Sequence, residues 1–272
     1  MIIHTDIDYD YLKTNSAVSD DINYQPHFHS TYEMLYTLNI GEAYYNISAS
    51  KFRIGVNDLI IIQPGMLHNL QIIPGQEYER IVMYFSKENI HSDLHDFLQT
   101  ISKIYHIQDD SPIKTAFSLL QKNSKLFSKE EFTRTLEGVL NIILTHLKYS
   151  HEEKKTEILN AQNNTINKIL NYIEENITQP LNADNISKKF FVSKSWLSHN
   201  FKKYLNISLK KYINQKKLLQ IERLISAGIP ISKAVENCSF ANYATFFRQY
   251  KQYANKKPSA NKKTNKINHI VQ

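Results

Sequence analysis

Leu197-Ser-His-Asn-Phe-Lys-Lys-Tyr204 and Phe246-Phe-Arg-Gln-Tyr-Lys-Gln-Tyr253 carry one pattern twice. Leu197, His199, Phe201-Lys202 and Tyr204 recur 49 positions later as Phe246, Arg248, Tyr250-Lys251 and Tyr253. A pattern repeated at fixed spacing marks a repeated supersecondary unit. Each copy follows a short helical stretch, Ala183 to Phe190 or Ser232 to Asn237, and a brief turn ending in Val192 or Phe240. A short helix, a tight turn and a second helix with a polar, basic outer face form the helix-turn-helix layout. Ser193 is placed to cap the first of these second helices and Asn242 the other. Between the units, Leu209, Tyr212, Ile213, Leu219 and Leu224 predict one long helix over Ser208 to Ser226, a rigid spacer. Upstream, Ile166, Ile169, Leu170 and Ile173 mark a helix that ends before Pro180.

On each second helix the apolar positions Leu197, Phe201, Phe246 and Tyr250 must face a core. That leaves Ser195, Ser198, His199 and Lys202 outward on the first, and Tyr243, Thr245, Phe247, Arg248 and Lys251 outward on the second. Ser and Thr can bond bases or phosphates, whereas Arg can take guanine bidentately. Trp196 is spaced with Asn200 and Tyr204 along a semi-buried row, and is expected in the core.

Charge divides the chain in the same place. Residues 1–160 hold 14 Lys and Arg against 21 Asp and Glu, while residues 161–272 hold 19 against 5. An isolated run of Lys can simply solvate a helix face. An excess that spans a whole domain-sized segment instead suggests a polyanionic partner, nucleic acid first. The tail from Ala254 has five Lys and no acidic residue, and is expected to be disordered, with only non-specific attraction for phosphate.

The acidic half has a different texture. Met34 to Ile40, Tyr44 to Ile47, Leu59 to Ile62 and Ile81 to Phe85 are β-branched or aromatic runs. Gly41-Glu42, Gly55-Val-Asn57, Pro64-Gly65 and Pro74-Gly75 punctuate them, which predicts a small antiparallel barrel or sandwich. Past Pro112 the period becomes helical: Phe132, Leu136, Val139, Leu140, Ile143, Leu144 and Leu147 predict a helix over Lys129 to Lys148, after a shorter one over Ile113 to Leu126. The stripe can pack on its own barrel or pair with the same helix of a second chain. Residues 150–164 are polar with little apolar period and read as a linker.

Side chains two apart on a strand share a face, so His27, His29, Glu33 and Thr37 point one way if the strand is unbroken, and Met34, Tyr36, Leu38 and Ile40 the other. With His68, the polar set offers three imidazoles and a carboxylate. These could hold a divalent metal with positions left open. They could equally hydrogen-bond one another or contact an organic effector, since buried polar groups need partners.

This stretch resembles the cupin barrel. The family's first motif stands here as His27-Phe-His29-Ser-Thr-Tyr-Glu33 with Gly41, and its second as Gly55, Pro64-Gly65 and His68-Asn69. The match covers about residues 24–85 and includes all four family metal-ligand positions, though Pro64-Gly65 departs from the usual Pro-x-Gly spacing.

The basic half in turn resembles the AraC/XylS family of bacterial transcription regulators, over about residues 166–258. Leu181, Ile186, Val192-Ser193, Leu197, Phe201-Lys202, Tyr212 and Leu224 stand at family positions in the first unit. Ile231-Ser232, Phe240, Phe246, Arg248, Lys251 and Pro258-Ser259 do so in the second. Ser239 stands where the family has Gly, Val235 where it has Ala, Lys217 where it has Arg, and Asn206 and Asn255 where it has Gly. The resemblance implies an α+β chain of two domains: a cupin-like antiparallel β-barrel sensor (1–110), a helical, dimerising segment (111–150), a linker (151–164), an all-α double helix-turn-helix DNA-binding domain (165–260) and a basic tail (261–272). It implies double-stranded promoter DNA, a small-molecule effector, a second copy of the chain and RNA polymerase as partners, with control of transcription, as an activator or a repressor, as the output and no catalysis. The alternative class is a metal-dependent cupin enzyme, a dioxygenase or isomerase, carrying a nucleic-acid tether.

Composition limits the rest. No run approaches the roughly 20 apolar residues of a membrane span. The acidic start lacks the basic-then-apolar order of a secretory signal, so a cytoplasmic protein is expected. The lone Cys238 excludes an internal disulfide framework and leaves His and carboxylate as metal ligands.

Overall fold

The computed structural model describes residues 7–14, 22–75, 77–101, 104–123, 126–149, 164–240 and 242–254. Residues 150–163 of the expected linker and the expected tail beyond Ala254 lie outside them. Among the described residues no helix is long and apolar enough to cross a membrane.

The N-terminal half is built from nine strands among these residues: β1 (Asp8–Lys13), β2 (Ile22–Asn23), β3 (Tyr32–Ile40), β4 (Ala43–Ile47), β5 (Ser50–Ile54), β6 (Asp58–Ile62), β7 (His68–Ile72), β8 (Tyr78–Phe85) and β9 (Ile104–His106). They form two antiparallel sheets, ordered β1-β8-β3-β6-β9 and β2-β7-β4-β5. The runs read from the sequence are β3, β6 and β8, interior to the larger sheet, and β4, interior to the smaller one. Both faces of β3, β6 and β8 are covered, which explains their nearly continuous apolar character. One face, through Leu35, Ile60, Ile62, Val82 and Tyr84, meets Tyr45, Ile47, Phe52, Leu70 and Ile72 of the second sheet. The other, through Met34, Tyr36, Leu59, Ile61, Ile81 and Met83, lies under helices.

Parity along β3 does not run unbroken. The register with β8 shifts between Thr37 and Asn39, a bulge that returns Ile40 to the inter-sheet core, where it pairs with Tyr78. Ile40 therefore leaves the Met34 face on which strict alternation placed it.

Three helices cover the outer face of the larger sheet: α1 (His95–Thr100), α2 (Pro112–Asn123) and α3 (Lys129–Tyr149). The α3 stripe is spent within its own chain. Leu136, Val139, Leu140, Ile143, Leu144 and Leu147 are all buried with Met34, Tyr36 and Phe85, and Tyr36 stacks on Phe117 of α2 at 4.3 Å. Burial of each such side chain is worth about 1.5–3 kcal/mol. Taking the stripe away to meet a second chain would forfeit several of these at once.

The C-terminal half contains α4 (Asn164–Glu175), α5 (Ala183–Lys189), α6 (Lys194–Leu205), α7 (Leu209–Ser226), α8 (Ile231–Asn237) and α9 (Tyr243–Ala254). Helices α5 and α6 form the first helix-turn-helix, α8 and α9 the second, with α7 between them. The first helices repeat at an offset of 48 and the second helices at 49, so the second turn is one residue longer than the first. Ser193 and Asn242 both cap as expected, accepting from Trp196 N–H and from Thr245 N–H. Each turn passes through one left-handed residue, Phe191 (φ 53°) and Ser239 (φ 49°). For a non-glycine residue this costs on the order of 1–2 kcal/mol. At Ser239 local bonds offset it: the hydroxyl donates to Thr178 O at 2.7 Å, and buried Lys217 donates to Ser239 O at 3.0 Å.

The halves also share a core. Phe28, Ala49 and Leu67 from the strand half are buried in the cluster formed by α4, α5, α6 and α7.

Candidate functional site

Two of the expected strand-half groups converge from β3 and β7, and two from the segment ahead of β3. His27 pairs with His68 through reciprocal backbone bonds, His27 N–H to His68 O at 3.1 Å and His68 N–H to His27 O at 3.0 Å. Glu33 enters from β3. The candidate ligand atoms of His27, His29, Glu33 and His68 all lie within 4.8 Å of one another. Glu33 Oε2 stands 3.0 Å from His29 Nε2 and 3.2 Å from His68 Nε2.

The other ring nitrogens are committed elsewhere. Nδ1 of His27, His29 and His68 lies 3.0, 2.9 and 2.9 Å from the carbonyl oxygens of Gln25, Thr31 and Met66. A carbonyl only accepts, so each Nδ1 must carry a proton. In a neutral ring the Nε2 lone pair then points into the cluster. For His29 and His68 that lone pair faces a carboxylate oxygen, a repulsive arrangement unless a proton or a cation lies between them. Burial alone would raise the Glu33 carboxyl, but positive charge at the His68 and His29 rings, with the hydrogen bonds they then donate, overcomes it and holds the group well below the usual range. Burial, then the His68 ring, push His27 down to about 4, so near neutral pH it offers a lone pair.

The donor set fits a divalent ion. Ligand atoms around a tetrahedral ion with bonds of about 2.0–2.2 Å stand about 3.3–3.6 Å apart, close to the two Nε2–Oε2 separations. Metal-bound imidazoles characteristically donate the other N–H to a carbonyl, as all three do here. The second carboxylate oxygen accepts from Tyr45 at 2.9 Å. Alternation missed Tyr45, although Ala43, Tyr45 and Ile47 on β4 are the inward-facing positions of that strand.

Thr37 is not part of this cluster. It shares the Glu33 face, but four residues of strand carry it about 13 Å farther along. Its hydroxyl lies 2.6 Å from Gly55 O and 3.0 Å from Asp58 O, and accepts from Asp58 N–H at 2.9 Å. Thr37→Val should therefore cost about 1–3 kcal/mol of stability, because a buried N–H loses its acceptor, while metal uptake stays unchanged. Urea melts and metal analysis of the same preparation check both halves. Lost metal would return Thr37 to the site.

On the helical half, Ser195, Ser198, His199 and Lys202 of α6 are exposed, as are Tyr243, Arg248 and Lys251 of α9. Thr245 and Phe247 are not free. Both are half-buried, and Phe247 packs on the cluster of Leu218, Ile221, Phe246 and Tyr250. Its spacing from Phe246 placed it outward, but a ring at the rim of a small core is partly drawn in. Trp196 is half-buried against the first-unit cluster, as expected. Exposed Lys210 and Lys211 at the start of α7, and Lys233 on α8, are further basic positions that a reading confined to the second helices left out.

Two family models match the chain, an AraC-like ligand binding domain over residues 15–137 and a helix-turn-helix domain over 186–264. MarA, the multiple antibiotic resistance protein of Escherichia coli, is 33% identical over 102 residues, spanning 37% of this chain and 80% of MarA. YfiF of Bacillus subtilis, an uncharacterized HTH-type transcriptional regulator, is 20% identical over 241 residues, 85% of this chain and 76% of YfiF. Among solved structures, unsaturated fatty acid-bound ToxT of Vibrio cholerae aligns over 94% of this chain and 95% of its own, at 13% identity and a TM-score of 0.42. With a ligand-binding domain model ahead of a helix-turn-helix model, and a relative matched over four-fifths of its length, the chain belongs to the AraC family of DNA-binding transcription regulators.

Proposed function

We propose that the effector of this regulator is a divalent transition-metal ion, held by His27, His29, Glu33 and His68. The observation that carries this reading is the placement of the ring nitrogens. Two rings with Nδ1–H committed to carbonyls turn Nε2 toward one buried carboxylate oxygen. A metal supplies a positive centre there and leaves the rings neutral. A network with no cation there needs two added protons, one on each ring or one on a ring and one on the Glu33 carboxyl.

Protein purified without an affinity tag is expected to carry about one divalent ion per chain by elemental analysis, as four converging ligands predict. His29→Ala and Glu33→Gln should both lose it. Chain that arrives metal-free, and takes up none when dialysed against zinc or nickel, refutes the reading.

The output of the regulator is binding to double-stranded promoter DNA through α6 and α9. Exposed Ser195, Ser198, His199 and Lys202 on the first, and Tyr243, Arg248 and Lys251 on the second, are the residues proposed to meet it, with Thr245 and Phe247 at the margin. Two units joined by one helix should protect two major-groove segments about 10 base pairs apart on one face of the duplex. Footprints with a single segment would leave one unit without a role in reading DNA. A second copy of the chain and RNA polymerase complete the proposal, with the cytoplasm as the compartment where all meet. Since the α3 stripe is spent, exposed Leu119 of α2 and Ile142 of α3, with Leu126, Phe127 and Tyr149 at the ends of these helices, are the apolar positions of this segment proposed for the second copy.

A further inference from the structure

The histidine cluster and the contact between the two halves are opposite faces of the same short ribbon. Neighbouring residues on an extended segment point opposite ways. His27 and His29 turn into the cluster, and Phe28 between them turns out of it, buried among the helices of the first helix-turn-helix unit. The other side of the ribbon repeats this: His68 enters the cluster, and Leu67 before it is buried in the same helical core. Gly65, three residues before His68, donates its N–H to His29 O at 2.8 Å. A side chain at Gly65 would meet Arg223 of α7 at 3.2 Å, and Arg223 itself donates to Pro64 O at 3.4 Å.

From Phe28 the path to the recognition helix is short. Its ring meets Tyr212 of α7 edge-on at 6.1 Å, and Tyr212 meets Phe201 of α6 at 5.6 Å. Lys216 of α7 holds its ammonium 5.7 Å from the Phe28 ring and 5.6 Å from the Tyr212 ring, and is paired with Glu174 of α4. Every step is side chain on side chain in a close-packed core, which transmits strain instead of absorbing it.

We propose that Phe28 couples the four-residue cluster to DNA binding: occupancy of the cluster by a divalent cation fixes the His27–His29 segment, and Phe28 passes that constraint through Tyr212 to α6. This inference rests on the metal reading above and adds its mechanical consequence. Phe28 touches neither the metal nor DNA; it is a positioning residue. Linkage makes the effect reciprocal, so DNA changes metal affinity by the same factor as metal changes DNA affinity.

The experiment uses the full chain, zinc as the probe metal and a duplex selected from random sequence by the zinc-loaded protein. Wild type is expected to bind about one zinc, and DNA affinity should shift within the range of about 5- to 150-fold between zinc-loaded and chelator-treated protein. Phe28→Ala should keep its zinc affinity, since all four ligands remain, and lose most of the shift. Phe28→Leu, which keeps apolar volume, should retain part of it and serves if the alanine variant does not fold. Exposed Arg223→Ala, on the far side of the contact, should also reduce the shift. A Phe28→Ala protein that keeps the full shift overturns the coupling and leaves the metal reading standing. So does wild type that binds zinc with no change in DNA affinity. Wild type that takes up no zinc is a separate result, which removes the metal reading and the coupling with it.

Discussion

Phe201→Ala is expected to cost about 3–5 kcal/mol of folding free energy, the range for truncating a buried aromatic ring to alanine. Phe201 is completely buried on α6, edge-on to Tyr212, in the cluster that also takes Ile166, Ile169, Ile186 and Leu197. The whole stability of a domain is about 5–15 kcal/mol, so this change removes a large share of it. Phe246→Ala should cost a similar amount but in a different place. Phe246 lies in the separate cluster of Leu218, Ile221, Val235, Cys238 and Tyr250, with rings of Phe240 and Tyr250 at 5.8 and 5.5 Å. Denaturant melts followed by circular dichroism, with hydrogen exchange to locate the loss, should show the first unit and its contact with the strands loosened by Phe201→Ala. Phe246→Ala should loosen α8 and α9 alone. A loss below about 1 kcal/mol for either variant would mean that its ring is not part of a packed core.

Arg248→Ala is the second large effect, and it falls on binding. Arg248 is exposed on α9 and is the only arginine on either recognition helix. Its guanidinium can take guanine O6 and N7 together, and loss of such a pair costs about 1–3 kcal/mol, roughly 5- to 150-fold in affinity at the specific site. Preference should relax at one or two base pairs of the second segment and nowhere else. Lys202→Ala should behave differently, weakening all sequences alike and reducing the salt dependence by about one phosphate's worth. Competition between randomised half-sites at several salt concentrations separates the two. If Arg248→Ala leaves base preference intact and only flattens the salt slope, the residue is a phosphate clamp.

What the sequence made legible followed from periodicity over long spans. The duplicated pattern around Phe201 and Phe246, the α3 stripe and the HxH…Glu…His set each rest on several residues in fixed relation, and each appears where it was expected. What was lost lay at edges and irregularities, and in β7, interior to the second sheet, where His68, Asn69 and Gln71 break the apolar run. Strands β1, β5 and β9 stand at sheet margins, where Asp8, Asp10, Lys51 and Arg53 interrupt the apolar signal, because an exposed edge favours charge. The bulge in β3 leaves no mark in composition, so alternation put Ile40 on the wrong face. Thr37 failed for another reason: shared parity fixes a face but not a position along the strand. The choice between pairing and self-packing for the α3 stripe was invisible in principle, since both bury the same residues.

The extra residue in the second turn limits how the two units can be exchanged by an engineer. Transplanting α6 onto α9 is safe when the graft is aligned on the second helices themselves, Lys194 with Tyr243 and Phe201 with Tyr250. Grafting α6 alone by the first-helix offset of 48, with the host's own longer turn kept, instead slips the graft by one position. One residue of helix is about 100° of rotation, so Leu197 and Phe201 would swing from the core toward the duplex while Ser198 and Lys202 turned inward. A chimera designed on the simpler alignment would present grease to DNA and charge to its own interior, and would fail as a fold before its base preference could be read.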